Sequence, residues 1–415
     1  MHIESPSVLV AGAVIDGYKI RHQPTAFQPL LEKARRAHGH AVCLCRSPHL
    51  KLQLRERSGR IHMAAWPDQG NLHSVTCPFY SEREQYTASN QGIASTDDGR
   101  TEIQYSRPLS YNGLAPTAER PKAPSHDILP IRLWGLLHHL WESTGLNRWL
   151  PDWRRDWGFV RNTLERTAQH TWINQQELSK ILYIPRPFSP AAKQSIEAQW
   201  QAFVAPLQAH HRGSSEVRCG FILGVVRTLD PHAKGFLLRL AHHGQPILLP
   251  STLATNLASN SRRGWASLTS GTDSPKTSSV VAMLRVECSR NGLMVAADCV
   301  LMRTTRHLIP SNNHMEDQVA KSLVEGGHEF IRPLPYSQVQ GDLPAFVMRE
   351  HDASGLRITE MFCLHDSKNP YQHEARVRRH AEQARSSGHG IWVWAFSDSP
   401  TMPDIPEPTA KQERE

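Results

Sequence analysis

The chain has 415 residues, 39% of them hydrophobic and 21% charged, with 29 prolines and 25 glycines, which is room for two to four globular domains joined by polar linkers. A net charge of +8 favours acidic partners, nucleic acid first, although a merely solvated basic face has the same composition. Seven cysteines, an odd number in so long a chain, exclude a disulfide framework and point to a reducing cytoplasm, and no apolar run reaches the ~18 residues of a membrane span.

Residues 1–27 predict a small β start, with Val8, Val10, Val14 and Ile15 around Gly12 and a return strand at Gly17–Ile20. Val8–Ile15 has neither the length nor the basic flank of a signal peptide. Over residues 28–38, Leu30, Leu31 and Ala34 share one helical face while Lys33, Arg35 and Arg36 fall elsewhere. Positive charge is concentrated early: the first 60 residues hold ten Lys or Arg against four acids.

Residues 41–80 carry the strongest chemical signature. Cys43 and Cys45 are two apart, which on a strand points both sulfurs to one side. Leu50, Leu52 and Leu54 alternate with polar residues, Ser58-Gly59 is a turn signal, and Ile61, Met63 and Ala65 alternate on the return. His73 and Cys77, four apart, share one face of a helical turn. Two ligand pairs joined through a β-hairpin close a tetrahedron in small zinc folds, so Cys43, Cys45, His73 and Cys77 are the expected ligands of a zinc-ribbon-like module, with His62 the first substitute for His73. Four protein ligands fill a zinc ion, which argues for structure rather than catalysis. The plainer reading keeps the cysteines as buried hydrophobes. Around the module, Arg35, Arg36, Arg46, Lys51, Arg55 and Arg57 are the expected phosphate contacts.

Residues 81–127, rich in Ser, Thr, Asn, Asp, Gly and Pro, read as a linker. A helical and β region is expected over 128–260. Leu133, Leu136, Leu137, Leu140 and Trp141 form a helical stripe, a second helix runs from Trp157 to Ala168, a third from Asn174 to Leu182, and Leu182–Ile184 is a short strand. Three helices and a strand fit a winged-helix unit, with Arg154, Arg155 and Arg161 near phosphate; they fit an ordinary helical subdomain equally. A helix over 190–209, strands at Arg218–Thr228, Gly235–Leu240 and Pro246–Pro250, and a short helix at Ser251–Ser259 complete the region, and 261–279 reads as a second linker. A hairpin around Asn291-Gly292 joins Val280–Cys288 to Leu293–Met302. A two-residue loop there sets Cys288 against Val295 and Cys299 against Leu284, so the thiols do not pair.

Residues 280–396 read as that hairpin followed by an α/β domain: a helix over Glu316–Leu323, strands at Phe330-Ile331, Ala345–Met348 and Leu356–Leu364, a basic helix over Tyr371–Arg385 and a strand at Ile391–Phe396. A disordered tail is expected over 397–415. Helix, strand, strand pair, helix, strand is the skeleton of the restriction-endonuclease-like fold. Its members hold Mg²⁺ with an Asp on one strand and an acid on the next, followed two places on by a Lys. Those positions here hold Ala345, Glu360 and Phe362. Ala cannot bind a cation and Phe cannot donate to water, so the topology reads as degenerate, with Glu316 and Glu360 the residual catalytic candidates. There is no phosphate-loop, nucleophile-elbow, HExxH or dinucleotide motif. The adjacent histidines at 138–139, 210–211 and 242–243 point apart and make poor chelates.

Five groups of residues then line up: Cys43-Leu44-Cys45-Arg46 with His73 and Cys77; Leu136–Glu142 with Gly145–Trp149; Leu182–Pro185; Ile222–Val226; and Phe330–Tyr336. In this order, from about Leu30 to Trp394, the chain resembles the bacterial family of unknown function numbered 1173. The resemblance implies a setting, the cytoplasm and the mobile DNA of plasmids and integrative conjugative elements, and supplies no catalytic residues. The resulting expectation is an α+β, multidomain, zinc-stabilised accessory protein of a mobile element that binds nucleic acid or a nucleoprotein partner. The alternatives are a Mg²⁺-dependent nuclease using Glu316 and Glu360, and a protein-interaction scaffold in conjugation or element defence.

Overall fold

The computed structural model describes residues 7–406 apart from 23, 58–59, 67–68, 71–72, 74–76, 80–91, 96–99, 113–129, 152, 210–215, 270–277, 335–342, 353–354, 365–374, 376–377, 380, 383, 386–387 and 396–400. The chain is mixed α+β and divides into two units, Met1–Glu102 and Ile103–Glu415. No helix among the described residues is long and apolar enough to cross a membrane.

Alternation builds the first unit. β1 (Ser7–Val10) and β2 (Ala13–Asp16) form a hairpin through Ala11-Gly12, both at positive φ. Because β2 is already the return strand, Gly17–Ile20 forms a short helix, α1 (Gly17–His22), instead of the strand expected there. Leu31 and Ala34 of α2 (Gln28–His38) are buried, and the helix ends at Gly39 in the left-handed conformation. The chain then enters β3 (His40–Cys43), β4 (Leu50–Arg57) and β5 (Arg60–Ala65), giving an antiparallel sheet of order β2-β1-β3-β4-β5. Every second residue faces the core: Val8, Val10, Ala41, Cys43, Leu52, Leu54, Ile61 and Met63 are buried.

The span 81–127, expected as a linker, contains three short strands, β6 (Ile93–Ser95), β7 (Thr101–Ile103) and β8 (Ser110–Asn112); 81–91 and 113–127 lie outside the described residues. In the second unit α3 (Leu133–Ser143) is buried on nearly every side. Both histidines of the 138–139 pair are therefore interior, and burial holds His139 down to about 4; His210 and His211 lie outside the described residues. After β9 (Arg148–Trp149), α4 (Trp157–Ala168) starts under Asp156, whose carboxylate accepts the Phe159 N–H at 2.8 Å. Arg155 and Arg161 do not face a ligand. Arg155 is buried, donates to the Leu146 carbonyl and lies over Trp149 and Trp153, while Arg161 donates to the Ile184 carbonyl and pairs with Glu165.

The third expected helix is interrupted by a turn at Asn174 and Gln175, both at positive φ, which pairs β10 (Thr171–Ile173) with β11 (Gln176–Glu177). Only one turn, α5 (Leu178–Ile181), remains before β12 (Leu182–Tyr183). A single turn cannot fill a DNA groove, so the winged-helix option fails.

Beyond α6 (Lys193–Leu207) and β13 (Glu216–Arg218) the chain forms a ring. Its strands are β14 (Gly220–His232), β15 (Gly235–Leu240), β16 (Ile247–Pro250), β17 (Ser278–Cys288) and β18 (Met294–Thr305), with α7 (Ser251–Asn260) and α8 (Arg262–Thr269) between β16 and β17. The ring runs β14-β15-β16-β18-β17 and closes by the pairing of β17 with β14. Within the ring β14 serves two partners, Gly220–Val225 pairing with β17 and Val226–His232, with a bulge between Val226 and Thr228, pairing with β15; outside the ring β12 runs parallel to it at Phe221 and Ile222. The interior is filled by Ile222, Val226, Leu238, Leu240, Ile247, Leu249, Leu284 and Leu301, with Leu257 of α7 at one end.

The ring crosses the boundary expected at 261–279, where Arg262–Thr269 is helix rather than linker, so the hairpin belongs with the preceding strands and not with the C-terminal domain. The hairpin register also differs by one place at its tip. Ser289 and Leu293 close a three-residue loop with Gly292 at positive φ, so Cys288 opposes Met294 rather than Val295. A bulge between Arg285 and Val286 absorbs the extra residue and restores Leu284 opposite Cys299, as expected.

The last sheet has the order β22-β21-β20-β19-β9, with α9 (His314–Glu325), β19 (Glu329–Ile331), β20 (Phe346–Asp352), β21 (Gly355–Leu364) and β22 (Gly390–Ala395). β19, β20 and β21 form an antiparallel meander, and β22 runs parallel to β21. β9 joins this sheet from within the helical region, a second strand that crosses the expected domain boundaries. The described part of the tail is also ordered: Met402 and Ile405 pack on the sheet's core, and Trp392 Nε1 donates to the Asp404 carbonyl at 3.0 Å. Residues 407–415 lie outside the described residues.

The seat of α8 on the ring depends on Gly264, where a Cβ would lie 2.6 Å from the Leu301 carbonyl oxygen. Gly264→Ala is expected to cost about 1–3 kcal/mol in urea unfolding, the overpacking term outweighing the gain in helix propensity. Gly244→Ala, with nothing within 4 Å of the added carbon, should stay within about 0.5 kcal/mol of wild type.

Candidate metal centre

Four donors converge at one end of the first sheet. Cys43 is the last residue of β3 and Cys45 sits in the following turn, while His73 and Cys77 lie on the chain after β5. Their ligand atoms all fall within 4.8 Å of one another. Cys43 Sγ is 3.4 Å from Cys77 Sγ, and His73 Nδ1 is 3.5 Å from Cys45 Sγ and 3.6 Å from Cys77 Sγ. A tetrahedron with metal–sulfur bonds of about 2.3 Å and metal–nitrogen bonds of about 2.0 Å has sulfur–nitrogen edges of about 3.5 Å and sulfur–sulfur edges of about 3.8 Å. The donors stand close to that geometry.

Their electrostatics point the same way. The Cys43 thiol is pushed up to about 11, first by its neighbour Cys45, with burial adding. Cys77 is pushed up further, first by Cys43, then by Cys45 and burial. Three crowded sulfurs resist ionisation until a cation compensates them. Cys43, His73 and Cys77 are buried and Cys45 is half-buried, so the set can hold one metal ion out of solvent. All four places go to protein donors, which leaves no position for a reacting water. His62 is not part of the set: it stands on β5 opposite Arg55.

The basic residues around the centre divide between two surfaces. Arg35 and Arg36, on α2, are bonded to Glu56 and paired with Glu32 respectively. Lys51 and Arg55 are exposed on the sheet face away from the core, where Arg55 Nε donates to Gln53. Arg46 is half-buried in the turn that carries Cys45, and the side chain of Arg57 lies outside the described residues.

The two candidate catalytic acids are buried and already engaged. Glu316, near the start of α9, accepts from the Asn312 backbone at 2.7 Å and pairs with Arg332 at 3.1 Å. Glu360, on β21, lies 2.7 Å from His389 Nδ1. Arg332 also donates to the Pro344 and Ala345 carbonyls, so a guanidinium occupies the neighbourhood where a nuclease would place its cation. Arg332 and His389 carry no distinguishing sequence pattern. Their only signal is the rule that a buried carboxylate needs a cationic partner, and sequence does not say which.

Cys77→Ser should lower bound metal from one equivalent to well below it, as measured by elemental analysis, and remove a contribution to folding of the first unit on the ~10 kcal/mol scale of small zinc domains. His62→Ala should leave metal content unchanged. Retention of a full equivalent by Cys77→Ser would show a different ligand set. For the acids, Glu360→Gln is expected to lower stability by about 3 kcal/mol, the scale of a broken buried pair, with no Mg²⁺-dependent cleavage in either protein. Cleavage by wild type that vanishes in Glu360→Gln at unchanged Tm would reverse that assignment.

No curated protein and no solved structure matches the chain. A family profile does match, over residues 14–397, a span that includes all four metal donors, the closed ring and the last sheet. The chain belongs to the family described as "Protein of unknown function (DUF1173)".

Proposed function

We propose that this chain is a zinc-stabilised nucleic-acid-binding protein, serving a mobile genetic element in the cytoplasm as the family resemblance implies. Zinc suits a Cys₃His donor set because thiolate and imidazole are its preferred ligands and it requires no open position in a structural site. The observation that carries the reading is the sheet face opposite the core of the first unit. Lys51 and Arg55 of β4 and Arg60 of β5 are exposed there, next to half-buried Leu9 and Val42 and to Val14 at 64% exposure. A rigid sheet pinned by a metal keeps these cations at fixed spacing, which favours a repeating polyanion over isolated anions.

The second reading, a metal-dependent nuclease, has the order α9, β19, β20, β21, β22 in its favour; most of the span 371–385, expected as a basic helix, lies outside the described residues. The pairing of Glu316 with Arg332 and of Glu360 with His389 weighs against it. A protein-interaction scaffold is the outcome that remains if no nucleic acid binds.

Binding of duplex and single-stranded DNA to the full chain across a salt series tests the reading. The affinity should fall steeply with salt. Lys51→Glu/Arg55→Glu should weaken duplex binding at least tenfold and flatten the slope of log K against log salt by about 2. Arg36→Ala, whose charge faces Glu32, should have a small effect. A salt-independent affinity, or equal binding by the double variant, would remove the first unit from the interface.

A further inference from the structure

The closed ring of the second unit has a topology with its own functional meaning. Numbered within the ring, the strands β14, β15, β16, β17 and β18 run 1-2-3-5-4 and back to 1. The third and fifth strands are parallel and every other neighbouring pair is antiparallel. The helices α7 and α8 intervene between the third and fourth strands and pack on the ring's interior through Ala254, Leu257 and Trp265. The first strand is long, bulged and shared between two ring partners. These are the features of the five-stranded barrels that bind oligonucleotides or oligosaccharides. Such barrels hold their ligand across the second and third strands, between the loop joining strands one and two and the loop joining strands four and five. The corresponding places here are β15 and β16, the His232–Gly235 turn, and the loop Ser289–Leu293.

The two sides of the barrel differ in the way that function requires. On the side of β14 and β17, the outward residues Phe221, Leu223, Val281 and Met283 are fully buried by the rest of the unit. On the side of β15 and β16 the outward residues form an apolar strip with a cationic margin. Leu237 pairs across the strands with Leu248, and Leu248 with Val295; Leu237 and Val295 are half-buried, while Leu248 between them is buried, so the strip reaches the surface at Leu237 and Val295. Around them Arg227, Lys234, Arg239 and Arg290 are exposed, at the bulge of β14, in the first turn, on β15 and in the second loop respectively. Asp230, the acid on this face of β14, is bonded to Arg239 at 3.2 Å, so these two charges compensate each other and the margin's net charge rests on Arg227, Lys234 and Arg290. An apolar floor between cations suits a chain that offers bases and phosphates together. Duplex DNA keeps its base faces inside the stack and offers phosphates without them, whereas an unpaired strand offers both.

We propose that the β15–β16 face of this barrel is a binding site for single-stranded nucleic acid. It lies in a different unit from the metal centre, and its variants and those of the first sheet report on each independently.

The test uses the full chain and a fluorescein-labelled oligo-dT of about 12 nucleotides, within the range one such barrel covers, with oligo-rU and a duplex of equal length alongside. Anisotropy should show binding of the single strands that weakens at least tenfold in Arg227→Glu/Lys234→Glu/Arg290→Glu, with the salt slope falling by about 2. The gentler Lys234→Gln/Arg290→Gln, confined to exposed loop positions, should weaken binding severalfold at unchanged Tm. Lys51→Glu/Arg55→Glu should leave oligo-dT affinity within twofold of wild type. Unchanged oligo-dT affinity in the loop variant, a preference for the duplex that these substitutions abolish, or binding of a neutral oligosaccharide in place of oligo-dT would each overturn the proposal.

Discussion

Three sulfurs and an imidazole nitrogen within 4.8 Å of one another set the terms for the first unit. Protonated, the thiols are weak hydrogen-bonding groups in a core that already contains Leu31, Leu52 and Phe79. Ionised without a cation, they repel one another at close range. A divalent metal resolves both problems, because it replaces the protons and converts repulsion into bonds. The strands are arranged to make this possible: β3 and its turn supply two donors, and the hairpin of β4 and β5 returns the chain so that two more arrive from the other side. Cys43 and Cys77 are at once core residues and candidate metal ligands, so loss of a bound metal would reach directly into the hydrophobic core.

The second unit meets a related constraint with arginine. A buried carboxylate is tolerated only beside a cation. Arg303 of β18 pairs with Asp317 of α9 at 2.5 Å and also donates to Ser267 of α8 and Ser311. Arg332 pairs with Glu316, one residue before Asp317, and reaches the carbonyls before β20. Both acids lie in the first turn of α9, where the helix dipole favours negative charge. These contacts, with the Trp141 indole donating to the Leu308 carbonyl at 3.3 Å, fasten the ring, α3 and the last sheet to one another.

Local chemistry was legible in the sequence and long-range assembly was not. The span Trp157–Ala168 is helical end to end, and the Cys43, Cys45, His73 and Cys77 side chains meet, because helix periodicity and ligand type are properties of short stretches. The choice between His62 and His73 followed from strand alternation only once β5 was placed. The third helix failed at Asn174 and Gln175, where two left-handed residues turn the chain, a conformation that composition marks weakly. The described parts of the two expected linkers hold short strands and a helix, because small polar residues compose edge strands and short helices as readily as loops. The ring was invisible, since its closure depends on the pairing of Gly220 with Val286 across two helices.

That closure also orders the events of folding. The second half of β14 meets β15 across a two-residue turn, so this hairpin forms as soon as both are synthesised. The first half, Phe221-Ile222-Leu223-Gly224-Val225, is paired with β12 at Phe221 and Ile222, and its other partner, β17, lies beyond α7 and α8. Until β17 is made, the edge of this apolar, uncharged, β-prone segment that β17 covers is open to another strand. On the ribosome the chain passes through a window in which one edge of this segment lacks its native partner β17, and β18 comes later still. How long that edge stays exposed to aggregation is set by the time taken to make α7, α8 and β17 rather than by the final stability of the ring.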